Sequence, residues 1–239
     1  MGRVVIDMKE KIVYGVFVAG GSGTRMGTEI PKQFLELAGR TILEHSIRRL
    51  LEACPALVPV VVLPPEHIPT WKKICGAARF DLPQILVEGG ITRFHSVRNA
   101  LGKVPDGEMV LIHDGVRPLV SPELVRKMLR TAQDSRAVIP VCPVTDTLKR
   151  LEPAGDGTLV PTDAPDPART GLYGAQTPQL FPSEQIKQAY TQGYSEAFTD
   201  DASVARAAKI PLTYIIGERY NIKITTPEDL FVAEKLLLG

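Results

Sequence analysis

The feature that most constrains the fold is an alternation of short apolar runs with stretches of helical periodicity. Such alternation is typical of a parallel sheet that helices cover on both faces. The predicted strands are residues 12–19, 58–63, 84–87, 109–112, 137–141 and 212–216. The predicted helices are residues 41–53, 92–101, 122–132, 200–208 and 227–238. We therefore predict an α/β fold with a Rossmann-like, mostly parallel sheet, in one domain that spans residues 1–239.

One segment, residues 144–172, does not fit this alternation. Two polar, strand-like pieces in it flank a turn rich in glycine, proline and aspartate, and neither piece has an apolar face suited to a core. A long surface loop is the alternative, but loops of more than about 12 to 15 residues are uncommon unless they are functional or disordered. We predict a β-hairpin arm that projects from the domain.

The charge balance argues against two classes of partner. The chain has 28 basic and 27 acidic side chains and a formal net charge of +1. A chain so nearly neutral has no overall field to attract nucleic acid or a membrane surface. The apolar run at residues 12–19 is too short to span a bilayer, so we interpret it as a buried strand. Any phosphate must be bound by a local cluster of charge.

The cysteines indicate a reducing compartment. Cys54, Cys75 and Cys142 lie far apart in the sequence, with no Cys-x-x-Cys pair and no histidine at zinc-ligand spacing. We therefore expect a cytoplasmic protein.

A glycine-rich loop follows the first predicted strand. Residues 19–27 read A-G-G-S-G-T-R-M-G, and P-K-Q follows at residues 31–33. Glycines at the end of a strand let the backbone approach an anion, and successive amide groups then point at phosphate oxygens. Arg25 and Lys32 add the positive charge that a triphosphate and a departing pyrophosphate require. The loop predicts a phosphate site; a plain turn with two surface cations is the alternative.

This loop differs from two common phosphate-binding sequences. The P-loop ends in a glycine followed directly by lysine, and no glycine of this loop precedes a lysine. The dinucleotide-binding pattern would need a glycine at the position of Met26. The residues therefore disfavour a P-loop nucleoside triphosphatase and a dehydrogenase.

The loop resembles that of a known family. G-G-S-G-T-R-M-G followed by P-K-Q is similar to the corresponding loop of the nucleotide-diphospho-sugar pyrophosphorylases, and P-K-Q-F at residues 31–34 resembles the 2-C-methyl-D-erythritol 4-phosphate cytidylyltransferases of isoprenoid precursor synthesis. The resemblance runs from residue 14 to residue 237. It implies a fold of the nucleotide-diphospho-sugar transferase type. It also implies transfer of the cytidylyl group of CTP to methylerythritol phosphate, with release of pyrophosphate.

Four further segments carry the resemblance, and the first implies the base site. Residues 89–93, G-G-I-T-R, follow the third predicted strand, and Ser96 lies on the helix that begins there. In the family this segment reads the cytosine through backbone groups of the glycine pair and through the serine. Ile91 stands where a polar residue is expected. Two interpretations of Arg93 stay open: a solvent-exposed cation at the start of the helix, or a residue of the site. The implied CTP-binding residues are Ala19, Gly20, Gly21, Gly23, Gly90, Ser96 and Gly115.

The second segment, residues 113–118, reads H-D-G-V-R-P and follows the fourth predicted strand, at the edge where open α/β sheets bind ligands. The resemblance implies that Asp114 contacts substrate hydroxyls or the Mg2+ shell, and that Arg117 binds the second substrate. Gly115 keeps room for the ribose where relatives often carry alanine. His113 beside Asp114 suggests a catalytic dyad, but neighbours on a strand end point to opposite faces. We interpret His113 as structural.

The third segment is the arm. D-T-L-K-R at residues 146–150 opens it and R-T-G-L at residues 169–172 closes it, and A-Q-T-P-Q continues the family pattern after it. The resemblance implies that Thr147 and Arg169 bind the phosphate of methylerythritol phosphate in the active site of the neighbouring subunit. Residues 144–172 would then be the dimerisation arm of a homodimer.

The last segment, N-I-K-I-T at residues 221–225, completes the implied set of catalytic cations. Lys223 is implied to contact the α-phosphate, and Arg25 and Lys32 the β and γ phosphates of the leaving pyrophosphate. A phosphate monoester has a second pKa near 6, so the attacking oxygen is ionised without a general base. Mg2+ bound with CTP is the implied cofactor, held mostly by substrate and water. No protein metal cage is expected, and Asp114 is the candidate carboxylate.

Two rival functions stay open from the sequence. A ribitol 5-phosphate cytidylyltransferase would have a similar loop and similar H-D-x-x-R-P and Q-T-P-Q segments, although D-T-L-K-R favours the methylerythritol enzymes. A non-catalytic nucleotide-sensing module could keep the fold. Loss of catalysis should relax the cations, however, and Arg25, Lys32 and Lys223 are all present.

Overall fold

The computed structural model describes residues 11–20, 30–132 and 136–238. Its strands are β1 (Val13–Val18), β2 (Glu36–Leu37), β3 (Arg40–Thr41), β4 (Val58–Leu63), β5 (Ile85–Glu88), β6 (Met109–Asp114), β7 (Ala137–Pro143), β8 (Leu151–Pro153), β9 (Leu159–Pro161), β10 (Tyr173–Ala175), β11 (Gln179–Pro182) and β12 (Leu212–Ile216). Its α helices are α1 (Ile42–Ala53), α2 (Ile68–Ala77), α3 (Arg93–Leu101), α4 (Pro122–Thr131), α5 (Ser183–Ala189), α6 (Asp201–Ala207) and α7 (Pro227–Leu238).

One large sheet organises these elements. β1 lies between β4 and β6 and pairs in parallel with both, and β5 continues the sheet in parallel beyond β4. On the other side, β11 lies between β6 and β7 and is antiparallel to both, while β12 pairs in parallel with β7. The chain thus runs outward from β1 to β4 and β5, then crosses back to β6 on the opposite side of β1. This reversal makes the carboxyl end of β1 a topological switch point.

Two hydrophobic cores cover the two faces of the sheet. Because successive strand residues point to opposite faces, Val61 and Leu63 of β4 enter one core while Val60 and Val62 enter the other. α1, α2 and α4 pack on the first face, and α3, α5 and α6 on the second. α7 packs against β2 in a smaller, third cluster. Within the described residues, no helix combines the length and apolarity needed to cross a membrane.

These features confirm the predicted α/β fold and its mostly parallel sheet. The predicted strands and helices are present, with ends displaced by at most two residues. The helices α2 and α5 and the antiparallel strands β10 and β11 were not predicted from the sequence. β11 is only four residues long, begins with a glutamine and ends with a proline, so its apolar content did not mark it as a central strand.

The arm is a hairpin, as predicted. β8 pairs antiparallel with β9 in a small sheet of its own, and all residues of both strands are exposed. Asp166 fastens its base, because its carboxylate accepts from Nζ of Lys149 at 2.6 Å and from the backbone N–H of Arg150 at 3.0 Å. Nη1 of Arg169 donates to the carbonyl oxygen of Thr145 at 2.6 Å. Polar contacts within the arm therefore hold its shape.

Candidate active site

A cavity of about 240 Å³ lies at the carboxyl edge of the sheet, where β1, β5 and β6 end. Ala19 and Gly20 follow β1, Gly90 follows β5, and Asp114 is the last residue of β6. Lys32 comes from a 3-10 turn, Lys32–Phe34, and Lys223 from the segment before α7. Segments far apart in sequence converge here because the carboxyl ends of parallel strands meet at one edge.

Backbone hydrogen bonds carry the sheet pairing past the strand ends into this cavity wall. The bonds run from the N–H of Ala19 to the carbonyl of Val62 at 3.0 Å, from Gly89 to Leu63 at 2.8 Å and from Gly115 to Val18 at 2.9 Å. The turns that form the wall are therefore positioned by the sheet itself.

Ser96 fastens the turn after β5. Its Oγ accepts the N–H of Gly90 at 3.0 Å and donates to the carbonyl oxygen of Thr92 at 3.0 Å. Gly90 has no room for a side chain, because a Cβ there would lie 2.4 Å from Cβ of His95. Ile91 projects next to it with 96% of its surface exposed. The backbone at Gly90 thus forms the wall, and Ile91 lies at its rim.

Asp114 is the anionic centre of the cavity. Its Oδ2 lies 2.9 Å from Nζ of Lys223 and 3.5 Å from Nε of Arg117, and its Oδ1 lies 3.4 Å from Nε of Arg93. Burial by itself would raise the pKa of Asp114, but the three cations outweigh burial and hold that pKa well below its usual range. Asp114 is therefore ionised at neutral pH and is no proton donor.

Arg93 joins Asp114 to a second carboxylate. Its Nη1 and Nη2 donate to Oδ1 and Oδ2 of Asp201 at 2.9 and 2.7 Å. Asp201 is the first residue of α6, is fully buried, and also accepts from the hydroxyl of Tyr190 at 2.6 Å. Burial disfavours the charge on Arg93, but the carboxylates of Asp201 and Asp114 outweigh burial and raise its pKa above the ordinary value. Arg93 lines the cavity and is not merely an exposed cation at a helix start.

His113 supports Asp114 from behind. The ring is fully buried, with Nε2 at 3.1 Å from the carbonyl oxygen of Arg117 and Nδ1 at 3.0 Å from Oγ1 of Thr177. Oγ1 of Thr177 accepts the N–H of Asp114 at 3.0 Å, so we assign its own proton to Nδ1 and the imidazole proton to Nε2. Burial lowers the pKa of His113 to about 4, so the ring is neutral at pH 7. These contacts agree with a structural role.

The structure brings seven of the predicted site residues to one cavity. They are Ala19, Gly20, Lys32, Gly90, Ser96, Asp114 and Lys223. Gly21, Gly23 and Arg25 lie outside the described residues. The roles given to the individual residues stay predictions, although their convergence is a property of the fold.

Four predicted residues are not among those that line this cavity. Gly115 lies behind the wall, where a Cβ would come within 2.9 Å of Cδ1 of Leu43. Arg117 turns its Nη1 to the carbonyl oxygen of Asn221 at 2.7 Å. Thr147 and Arg169 lie on the exposed arm. Their predicted role concerns a neighbouring subunit, which this single chain does not contain.

Two residues near the cavity were missed by the sequence analysis. Asp201 follows Asp200, whose side chain caps α6. Two aspartates at the start of a helix are typical of capping, so nothing in the sequence placed Asp201 near a site. Gln33 is fully buried, lines the cavity, and has no partner for its amide nitrogen or oxygen in the described part of the chain. Only its place between Lys32 and a buried phenylalanine could have drawn attention to it.

The carboxylate of Asp114 suits a metal ion that arrives with a substrate. Within the described residues there is no group of three or more His, Cys, Asp or Glu side chains that could hold an ion. Asp114 is the one carboxylate among the described residues that line the cavity. Mg2+ is commonly bound through one or two carboxylates together with substrate phosphates. The donor set therefore fits an ion bound largely by phosphate oxygens and water.

The fold and the site together define a class. An open, mostly parallel sheet carries glycine turns, two lysines and an arginine at its carboxyl edge, beside the switch point. Open α/β sheets bind nucleotides at this place, and cations there compensate phosphate charge. The chain is a nucleotide-binding α/β protein.

Comparisons with known proteins identify the family. Residues 13–238 match the family described as IspD, 2-C-methyl-D-erythritol 4-phosphate cytidylyltransferase, so the chain belongs to that family. A protein of that name from Bacteroides thetaiotaomicron is 42% identical over 96% of this chain and 100% of its own length. Another, from Porphyromonas gingivalis ATCC 33277, is 45% identical over 96% of this chain and 99% of its own. A crystal structure of the Thermus thermophilus protein of that name superposes with a TM-score of 0.72 at 32% identity, and covers 96% of this chain and all of that one.

Proposed function

We propose that the protein transfers the cytidylyl group of CTP to 2-C-methyl-D-erythritol 4-phosphate. The products are 4-diphosphocytidyl-2-C-methyl-D-erythritol and pyrophosphate, in isoprenoid precursor synthesis by the non-mevalonate route. The observation that carries this proposal is the cavity at the switch point, in a chain that belongs to the cytidylyltransferase family over nearly its whole length.

The reaction needs cations more than it needs an acid or a base. A phosphate oxygen of methylerythritol phosphate attacks the α-phosphorus of CTP, and the bond to the bridging oxygen of pyrophosphate breaks. The attacking oxygen is already ionised at neutral pH. Catalysis then consists of bringing two anions together, aligning them and compensating the charge of the transition state. Lys223 contacts the α-phosphate, and Arg25 and Lys32 contact the leaving pyrophosphate.

The turn at Gly90 binds the cytosine base of CTP. Because the Ser96 hydroxyl already accepts the Gly90 N–H, the shape of the turn is fixed before the nucleotide arrives. Backbone groups of a fixed turn recognise the donor and acceptor edge of cytosine without a side chain. This accounts for an isoleucine at position 91, where a polar residue was expected.

Two features of the proposal depend on groups beyond the single chain. Residues 144–172 act as the dimerisation arm of a homodimer, and Thr147 and Arg169 bind the phosphate of methylerythritol phosphate in the partner's cavity. The exposed hairpin and the absence of both residues from the described wall of their own cavity support this arrangement. Asp114 would be the protein carboxylate that holds Mg2+ bound with CTP, and the ion would supply positive charge to the phosphate oxygens. The protein acts in the cytoplasm, in keeping with three free cysteines.

Pyrophosphate release tests the proposal. The purified protein is assayed with each of the four common nucleoside triphosphates, against methylerythritol phosphate and against ribitol 5-phosphate. We expect release with CTP and methylerythritol phosphate alone. Equal release with UTP, or release only with ribitol 5-phosphate, would contradict the assignment. Tight CTP binding without release with either acceptor would indicate a nucleotide-sensing module.

A further inference from the structure

We propose that Asp201 is a positioning residue for cytidylyl transfer, through its hold on Arg93. The inference rests on the proposed function and adds to it a residue on α6. Asp201 is not among the cavity-lining residues. Its influence would reach the cavity through the chain of contacts from Asp201 to Arg93, from Arg93 to Asp114 and from Asp114 to Lys223.

The guanidinium of Arg93 contacts two carboxylates, those of Asp201 and Asp114. Two of its nitrogens, Nη1 and Nη2, are taken by Asp201 at 2.9 and 2.7 Å, and only Nε faces Asp114, at the longer distance of 3.4 Å. A guanidinium presents its donors in a fixed fork that matches one carboxylate with two hydrogen bonds. While Asp201 occupies the fork, Asp114 receives a single, weak contact from Arg93.

This division leaves Oδ2 of Asp114 to Lys223. Nζ of Lys223 lies 2.9 Å from that oxygen, and 41% of the lysine side chain is exposed at the cavity. Without the charge of Asp201, the Nη groups of Arg93 would have Asp114 as their nearest anionic partner. A two-pronged pair between Arg93 and Asp114 would compete with Lys223 for the same carboxylate. Asp201 therefore keeps the lysine where the α-phosphate needs it.

The burial of Asp201 supports a fixed role. The side chain is fully buried, whereas that of Arg93 is 29% exposed. The hydroxyl of Tyr190 donates to Oδ1 of Asp201, and the backbone around it is fixed because Asp200 caps α6 with a capping box. Both carboxylate oxygens of Asp201 accept hydrogen bonds, and the residue lies on a capped helix. A buried carboxylate held in this way has little freedom to move. It can hold Arg93 in one orientation.

Substitution Asp201→Asn tests the hold on Arg93. It keeps the shape of the side chain and removes its charge. We expect kcat with CTP and methylerythritol phosphate to fall about tenfold or more, with KM for CTP within about threefold of wild type. In the Lys223→Ala background no lysine remains to be displaced, so the further fall caused by Asp201→Asn should be less than about twofold. A purely structural ion pair would lower the rate by the same factor in both backgrounds.

The double variant Arg93→Gln with Asp201→Asn provides a rescue. It replaces the ion pair by two amides and removes the cation that would compete for Asp114. This pair leaves no guanidinium that could displace Lys223, so we expect its kcat to exceed that of Asp201→Asn alone by about threefold or more. Should Asp201→Asn alone not fold, the double variant is compared with Arg93→Gln alone: kcat within about twofold supports the proposal, and a further tenfold fall overturns it. Lys187→Ala is the control, because it removes an ion pair, with Asp106, that does not line the cavity; its kcat should be unchanged.

The outcomes separate this inference from the proposed function. If the wild-type protein releases no pyrophosphate, the function fails and the inference falls with it. If the wild type is active, three results overturn the inference alone: wild-type kcat in Asp201→Asn, an undiminished effect in the Lys223→Ala background, or a further tenfold fall of kcat when Asp201→Asn is added to Arg93→Gln.

Discussion

Nζ of Lys223 lies 2.9 Å from Oδ2 of Asp114, and this pair joins the segment before α7 to the end of β6. The carboxylate is ionised because three cations surround it, and the lysine is exposed on the cavity side. An anion that enters the cavity therefore meets a lysine whose direction is already set. Preorganised charge of this kind acts on the transition state at little further cost.

Lys223→Ala should act on the chemical step. Because the charge on the α-phosphoryl group grows in the transition state, we expect kcat to fall on the order of a hundredfold, with KM for CTP little changed. Lys32→Ala should behave in the same way at the leaving group. Lys187→Ala is the matched control, since that lysine pairs with Asp106 at 2.6 Å and does not line the cavity. A change limited to KM for CTP would mean that the lysine binds ground state and transition state equally.

Gly90→Ala should weaken CTP binding. A Cβ at this position would lie 2.4 Å from Cβ and 3.0 Å from the carbonyl carbon of His95, so the backbone of the turn must move. We expect Kd for CTP, measured by calorimetric titration, to rise about tenfold or more while the protein stays folded. In Gly76→Ala, the control in α2, nothing lies within 4 Å of the new Cβ. It should leave Kd unchanged and stabilise the helix by up to about 1 kcal/mol. Unchanged Kd in Gly90→Ala would show that the turn plays no part in binding.

His113 should make stability fall in mild acid. Its pKa is about 4 when folded and 6.5 in the ordinary state. Between these pH values the unfolded chain binds a proton that the folded chain does not, so the free energy of unfolding decreases as the pH falls from 6.5 to 4. At 1.36 kcal/mol per pKa unit, the full effect is about 3 kcal/mol.

Urea unfolding at pH 7, 6, 5 and 4.5, in buffer with a chelator, measures this effect. The comparison is between wild type and His113→Gln, which keeps a donor near the position of Nε2 but does not titrate. His45, whose pKa burial also lowers, contributes equally to both proteins and cancels. Parallel curves for the two proteins would show that His113 is protonated as easily in the folded state as in the unfolded one.

Mixed dimers test whether the arm completes the site of a partner subunit. Lys223→Ala and Arg169→Ala are each expected to form inactive homodimers. When the two are unfolded and reassembled together, about half of the dimers are mixed, and in each of these one site has an intact lysine and an intact arm. Activity should then recover to roughly a quarter of wild type under two-fold symmetry. Each variant refolded alone is the control. If the arm serves its own subunit, every site carries one defect and no activity returns.

The part of the fold that the sequence predicts is the part that buries apolar surface. β4 has its predicted limits because its continuous apolar run coincides with its buried residues. β11 escaped prediction because a central strand can take its stability from two neighbours while carrying a glutamine and a proline itself. α2 has a proline as its second residue and one fully buried side chain, Trp71, so its periodicity is weak.

The candidate site was also predicted only in part. Residues that line the cavity, such as Lys32 and Asp114, stand near glycine turns or strand ends in the sequence, which are the features that predict a phosphate site. Asp201 and Thr177 contact Arg93 and Asp114, which lie far from them in the chain. Such partners are fixed by the path of β11 and α6, and no local pattern of residues records that path.

The position of β11 also bears on how the chain folds. β1, β4, β5 and β6 come from the first half of the chain and can pair with one another as soon as they are made. β6 pairs with a second strand only when β11, residues 179–182, inserts between β6 and β7. Until then its edge, including the strand that ends in Asp114, has unpaired backbone groups, which are a template for aggregation. A chain released before β11 pairs with β6 would have β1, β4, β5 and β6 in place. The site at the end of β6 would still be incomplete.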